Sequence, residues 1–216
     1  EGVFQLESSG MKQVLVGLQP QNLEDVIALI SLYRPGPMDS IPTYLRNRHE
    51  PDKISYKTPQ LAHILDVTNG CIVYQEQVMQ IFRELAGFSF GQADNVRRAM
   101  SKKKHAVMEA EREHFVHGCT EPGHECPGCV ANGISEKVAN EIYDEMSSFA
   151  SYAFNKSHAA CYAYVAFQTA YLKCHYPSEF MAALLTSVLD NTDKVIEYSG
   201  ECARLGIKVL PPDVNV

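Results

Sequence analysis

Apolar residues recur at helical spacing along most of this chain. A capping residue, Asn22, precedes an apolar stripe, and the segment 75–86 carries a second stripe that ends at Gly87. Further helices are predicted at 93–100, 106–117, 136–149, 159–175, 178–189 and 192–205. The β-branched segment 70–74 is the best strand candidate. The pattern therefore predicts a mainly α protein, a multi-helix domain with at most one or two short strands.

One segment interrupts the helical pattern. Residues 118–133 are rich in Gly, Pro and Cys, which favours a loop. We predict one domain over residues 1–216, divisible into two lobes, 1–117 and 134–216, joined by this loop. The chain opens at Glu1 without an initiator Met and closes just after an apolar run at 207–210. We therefore expect it to be a piece of a longer protein.

The composition excludes several classes of protein. The 216 residues are 45% hydrophobic and 21% charged, close to globular averages, which argues against a disordered or fibrous chain. No apolar run approaches the roughly 18–20 residues of a membrane span, so we expect no membrane partner. Seven scattered cysteines fit a reduced, cytoplasmic protein better than a disulfide framework. The net charge of −7 argues against non-specific coating of nucleic acid.

The most distinctive chemistry is a concentration of cations in this acidic chain. Five positive charges fall within eight residues: Arg97, Arg98, Lys102, Lys103 and Lys104. On a helix several of them would converge on one anion, and guanidinium groups suit bidentate phosphate contact. The alternative is a solvated helix end with no ligand.

A second candidate site precedes the helix predicted at 159–175. Asn155, Lys156, Ser157 and His158 combine capping residues with a cation and an imidazole. The start of a helix presents backbone N–H groups and a positive dipole end, which favours a phosphate. The alternative is simple capping with an exposed lysine.

The loop 118–133 contains weak zinc candidates. Cys126 and Cys129 have the two-residue spacing of a zinc knuckle, and Cys119 and His124 could complete a tetrahedral site. No second C-x2-C pair follows, and a closed site within so few residues would be cramped. We therefore assign no metal to this chain and favour a reduced surface loop.

Seven motifs in fixed order resemble one family. They are GVFQLES at 2–8, YRPGP at 33–37, YQEQVM at 74–79, RRAMSKKK at 97–104, FNKSH at 154–158, QTAYLK at 168–173 and PSEFMAA at 177–183. Together they resemble the C-family replicative DNA polymerases of bacteria, the polymerase III α subunits, over essentially the whole chain. The matching part is the fingers domain.

The resemblance implies an activity that belongs to a larger enzyme. It implies DNA-directed DNA polymerisation, a nucleotidyl transfer from a deoxynucleoside triphosphate to a primer. Two Mg²⁺ ions would be held by palm aspartates outside this chain, so no cofactor and no catalytic residue are expected here, and the fragment should be inactive alone. The implied partners are primer–template DNA, deoxynucleoside triphosphates, the palm and thumb of the same polypeptide, and the sliding clamp and other replisome subunits.

The resemblance also assigns roles to residues. Arg97 and Arg98 would bind the β- and γ-phosphates, with 102–104 in support. Lys156, Ser157 and His158 would line the sugar and triphosphate side, with His158 near the ribose. Arg34 and the segment 75–77, with its two glutamines Gln75 and Gln77, would form the pocket wall.

Two other functions stay open at this stage. A stand-alone helical nucleic-acid-binding module with a structural zinc loop would bind stoichiometric zinc and DNA without nucleotide. A small nucleotide-binding enzyme complete in this chain would turn over nucleotide by itself.

Overall fold

A computed structural model describes residues 1–102, 105–150 and 153–211. These residues are mainly helical, as predicted, and short 3-10 turns join several of the helices. The α-helices are α1 (Ser9–Leu18), α2 (Leu23–Leu32), α3 (Ile41–His49), α4 (Ala62–Leu65), α5 (Gln75–Ala86), α6 (Phe90–Ser101), α7 (His105–His117), α8 (Gly128–Ala131), α9 (Glu136–Ala150), α10 (Lys156–His175), α11 (Pro177–Ser187) and α12 (Thr192–Arg204).

The chain divides into two compact units, but not at the predicted loop. One unit comprises residues 1–16 together with 161–216, and the other comprises residues 17–160. The loop 118–133 lies inside the second unit, where Cys126 and Cys129 join the hydrophobic core. The division differs from the lobes expected from sequence because the loop's apolar residues pack against helices on both sides of it.

The core of unit 17–160 is built around α5. The Phe82 ring lies 5.2 Å from that of Phe88, 5.0 Å from that of Phe115 and 6.0 Å from that of Tyr143, measured between centroids. These aromatic residues bring α5, α7 and α9 together and are fully or almost fully buried. Because α5 is held on several sides, the residues of its first turn have fixed positions at the surface.

The strand predicted at 70–74 is not formed in the described residues. Only Tyr74 of this segment pairs, through an isolated parallel bridge with Phe154. The amide of Phe154 donates to the carbonyl of Val73 at 3.3 Å, and the amide of Gln75 donates to the carbonyl of Phe154 at 3.0 Å. Helix α5 begins at Gln75, so the ladder has no room to extend. This bridge nevertheless joins segments about 80 residues apart in sequence.

Several helix boundaries follow the predicted caps. The Asn22 side chain accepts a hydrogen bond from the amide of Asp25 at 3.0 Å, and Gly87 ends α5 with a φ of 75°. Helix α10 starts at Lys156 rather than at the predicted residue 159, because Asn155 is its capping residue. Lys156, Ser157 and His158 therefore form the first helical turn.

Gln77 organises the turn before α5 instead of lining a pocket wall. Its carbonyl oxygen accepts from the amides of Val73 at 2.9 Å and Tyr74 at 3.0 Å. Its amide nitrogen donates to the carbonyl of Ile64 at 3.1 Å and to the hydroxyl of Thr68 at 2.7 Å. The side chain is buried, so these four contacts satisfy polar groups that water does not reach.

The other unit has a smaller core between α11 and α12. Met181, Tyr198 and Cys202 form its buried centre. The hydroxyl of Tyr198 donates to the carboxylate of Glu7 at 3.2 Å, which ties the beginning of the chain to α12. Among the described helices, none is both long and apolar enough to cross a membrane.

We predict that Gln77→Ala destabilises the fold by about 2–4 kcal/mol, because four buried polar groups lose their partner together. Gln80→Ala on the same helix is the matched control, since the half-buried Gln80 side chain donates to the exposed Glu84 carboxylate at 2.7 Å, and it should change stability by less than about 0.5 kcal/mol. Urea denaturation of both variants measures the difference. Equal effects would show that the Gln77 network contributes nothing of its own.

Candidate functional site

A groove of about 490 Å³ in unit 17–160 collects residues from both predicted cationic segments. Arg97 of α6 lies on one side, and Asn155, at the start of α10, lies on another. The groove is lined by Gln75, Glu76, Met79, Gln80, Arg83, Glu84, Phe90, Asp94, Arg97 and Asn155. Two motifs more than fifty residues apart thus reach one surface depression.

Arg97 is held firmly at the edge of this groove. Its Nε and Nη2 donate to one carboxylate oxygen of Asp94 at 2.9 and 2.6 Å, and its Nη1 donates to the Gln75 carbonyl oxygen at 3.0 Å. Only 20% of the Arg97 side chain is exposed. A guanidinium fixed in this way has one preferred orientation, so its charge has a defined position at the groove.

Asp94 also binds the neighbouring Arg98. The Nε of Arg98 donates to the other Asp94 oxygen at 2.7 Å, while 65% of the Arg98 side chain is exposed. The hydrogen bond from Arg97, with the contact from Arg98, lowers the pKa of Asp94 below its ordinary value, although partial desolvation opposes the shift. One carboxylate therefore neutralises part of the charge of two arginines.

The start of α10 is already occupied by an anion from the protein. Both carboxylate oxygens of Glu76 lie 3.1 Å from the amide nitrogen of Lys156, and one of them accepts from the Asn155 side-chain amide, also at 3.1 Å. The side-chain oxygen Oδ1 of Asn155 accepts from the backbone amide of His158 at 2.9 Å. The start of this helix was predicted from sequence to favour a phosphate, but the amides of Lys156 and His158 are used internally.

The side chain of Lys156 also has partners. Its Nζ lies 3.0 Å from a carboxylate oxygen of Glu24 and 5.3 Å from the centroid of the Tyr74 ring. About a third of this side chain is exposed. Lys156 thus lies between α2 and the turn before α5, close to the groove but already balanced by an acid.

Arg34 belongs to the same region of the unit. Its guanidinium carbon lies 4.3 Å from the centre of the Phe154 ring, and the centroid of that ring lies 5.3 Å from the centroid of the His158 ring. Burial lowers the pKa of Arg34 from its ordinary value. The structure therefore brings Arg34 and His158 together through one aromatic ring.

The remaining predicted residues are less closely associated with the groove. Ser157 is an exposed residue in the first turn of α10, and the exposed Lys102 forms the C-cap of α6. Lys103 and Lys104 lie outside the described residues. Gln77, placed in the wall from sequence, lies in the core, whereas its neighbour Gln75 lines the groove.

The acids that balance these cations were not assigned roles from sequence. Glu76 was only part of the predicted wall, and its contact with the start of α10 depends on a long-range fold. Asp94 had a local signal, because it precedes Arg97 and Arg98 by three and four positions on one helix.

The zinc candidates behave as core and loop residues. Cys119 and Cys126 face each other in an isolated antiparallel bridge, and burial raises the pKa of Cys129 to about 12. His124 is exposed. Within the part of the chain that the structure describes, no three His, Cys, Asp or Glu side chains gather as metal ligands would.

Comparison with known proteins agrees with this arrangement of motifs. The family model described as the bacterial DNA polymerase III alpha subunit finger domain matches residues 1–123, more than half of the chain. The chain belongs to this finger-domain family. The residues that line the groove lie within the matched residues except for Asn155, which follows them together with α10.

Similarity to curated relatives extends over the whole finger-domain chain. The chain is 51% identical to DNA polymerase III subunit alpha of Thermus aquaticus over 220 aligned positions, which cover 100% of the chain and 17% of the relative. Identity is 48% to the subunits of Pasteurella multocida and of Bacillus subtilis, with 99% of the chain and 18% of each relative covered. The chain thus spans less than a fifth of the length of these relatives.

Proposed function

We propose that this finger domain binds the incoming deoxynucleoside triphosphate, and contacts the template, in a bacterial replicative DNA polymerase. The observation that carries the proposal is that Arg97 and Asn155, the residue that caps α10, line one groove. Its size suits part of a nucleotide, and the arginines beside it match the charge of a triphosphate.

The phosphates would be bound chiefly by arginine side chains. Arg97 is largely shielded from water, so its attraction for an anion is stronger than that of a fully solvated cation. A triphosphate would share or replace the Asp94 carboxylate as the partner of Arg97 and Arg98. The exposed Arg98 and Lys102 would follow the outer phosphates, with Lys103 and Lys104 as further candidates. Lys156 and Ser157 would complete the cationic side at α10.

The reaction itself would be a nucleotidyl transfer from the triphosphate to the primer 3′-hydroxyl. Mg²⁺ would screen the phosphates and activate the hydroxyl, and we assign it to the palm of the full-length polymerase. The groove acids do not suit this role, because Asp94 is engaged by two arginines, Glu76 by the start of α10, and Glu84 by Gln80 and His63. The share of this chain is to bind and orient the nucleotide.

The proposal extends to the assembly and its location. The chain would act next to the palm and thumb of its own polypeptide, on primer–template DNA, with the sliding clamp and other replisome subunits reached through the full-length protein. Such an enzyme works on the cytoplasmic chromosome of a bacterium. The isolated chain would not polymerise.

His158 is proposed to contact the sugar of the nucleotide. Its ring lies beside Phe154 and is exposed in the first turn of α10. Its backbone is fixed by the Asn155 cap. An imidazole held there would clash with the 2′-hydroxyl of a ribose but leave room for a deoxyribose.

In the full-length polymerase, Arg97→Ala should lower kcat/KM for the nucleotide by about 10- to 100-fold, because a charge-assisted phosphate contact of about 1.5–3 kcal/mol is lost. Primer–template affinity should change little. Steady-state kinetics and a DNA-binding titration measure the two quantities. Arg46→Ala, an exposed arginine of α3, is the matched control.

The opposite pattern would contradict the assignment of Arg97. If Arg97→Ala weakens DNA binding and reduces its salt dependence while nucleotide use is unchanged, the arginine binds the DNA backbone.

We expect His158→Ala to relax discrimination against ribonucleotides by about 5- to 100-fold, since a steric barrier to one hydroxyl contributes on the order of 1–3 kcal/mol. The measurement is the ratio of kcat/KM for matched deoxyribo- and ribonucleotides in the full-length enzyme. His124→Ala, in the exposed loop, is the control. An unchanged ratio together with lower thermal stability would mean that His158 only packs against Phe154.

A further inference from the structure

Glu76 lies where two elements of the proposed site meet. It belongs to the first turn of α5, and its carboxylate accepts from the backbone amide of Lys156 and from the Asn155 side chain. A carboxylate at the start of a helix is stabilised by the free N–H groups and the positive end of the helix dipole. Glu76 thus caps the start of α10, although it lies 80 positions before Lys156 in the sequence.

The preceding residue reaches the other half of the site. The side-chain oxygen Oε1 of Gln75 accepts from Nη1 of Arg97 at 3.0 Å. Its side-chain nitrogen Nε2 donates to the backbone carbonyl of Ala153 at 2.9 Å. The backbone amide of Gln75 donates to the carbonyl of Phe154. Two adjacent side chains on one helical turn therefore contact Arg97 on one side and the start of α10 on the other.

We propose that Glu76 is a positioning residue of the nucleotide site. It fixes the first turn of α10, and with it Lys156 and His158, at a set distance from Arg97. The inference rests on the proposed function, since it assigns Glu76 an effect on nucleotide use. Errors of about 1 Å in the placement of binding groups can reduce a rate by as much as about 100-fold, so a residue that touches no substrate can still control its use.

Another role for the same contact would give the opposite result. Glu76 could act as a stand-in anion that the triphosphate displaces from the start of α10. The geometry favours positioning, because Glu76 satisfies a helix amide and the capping side chain together, and because a displaced carboxylate would remain beside the incoming phosphates. In the positioning role, the phosphates are bound by side chains and not by the backbone amide of Lys156.

The test compares Glu76→Ala, Glu76→Gln and Glu113→Ala in the full-length polymerase. Glu113 is 72% exposed on α7 and provides the charge-matched control. We expect Glu76→Ala to raise the nucleotide KM about five- to tenfold, with primer–template affinity unchanged within about twofold. Glu76→Gln keeps one acceptor oxygen of similar reach and should recover much of the loss. Glu113→Ala should match the wild type.

A structural readout accompanies the kinetics. In Glu76→Ala the peptide that contains Lys156 should exchange its amide hydrogens faster, because the Lys156 amide loses its acceptor. Since Glu76 is exposed, the variant should fold, and a thermal melt checks this. If it does not fold, Glu76→Gln carries the test: a KM equal to that of the wild type with faster exchange would overturn the inference.

Each other outcome decides the question. A lower KM in Glu76→Ala overturns positioning in favour of a displaceable anion, and an unchanged KM with faster exchange overturns it as well. The proposed function fails separately, if Arg97→Ala leaves nucleotide use unchanged. If Arg97→Ala impairs nucleotide use while Glu76→Ala does not, the function stands and only the positioning inference is wrong.

Discussion

The candidate site depends on one short contact between distant segments. Tyr74 and Phe154 pair through a single parallel bridge, and the next two side chains, Gln75 and Glu76, extend this contact. Through Gln75, this contact links Arg97 to the segment that leads into α10. The buried Gln77 side chain and the aromatic core around Phe82 hold the turn before α5 in place, so the backbone that forms the bridge has a fixed position.

Pairing with nearby acids explains how an acidic chain presents a cationic site. Acids of the unit pair with several of these positive groups: Asp94 with the arginines of α6, Glu76 with the helix start and Glu24 with Lys156. These pairs hold the cations in fixed geometry and limit their attraction for unrelated anions. A triphosphate, with several charges, can compete where a single phosphate of DNA would not.

The helices could be predicted because their signals are local. The Asn22 cap and the stripe of α5 follow from spacing and from capping chemistry. The pairing of Glu76 with α10 could not be predicted, because it joins residues 80 positions apart. Gln77 is a different case: its four hydrogen-bond partners lie only 3 to 13 positions before it, but its burial depends on how the unit packs and has no local signal. The family motifs identified the cations, and one of them contains Glu76, but they assigned no role to the acids that hold the cations.

The most direct test of the central claim is a structure of the full-length polymerase with primer–template and a non-hydrolysable deoxynucleoside triphosphate. The account predicts phosphate oxygens within about 3 Å of the Arg97 guanidinium, with the contact between Glu76 and the Lys156 amide still formed. A triphosphate seated on the start of α10 with Glu76 displaced, or one that makes no contact with Arg97, would contradict it.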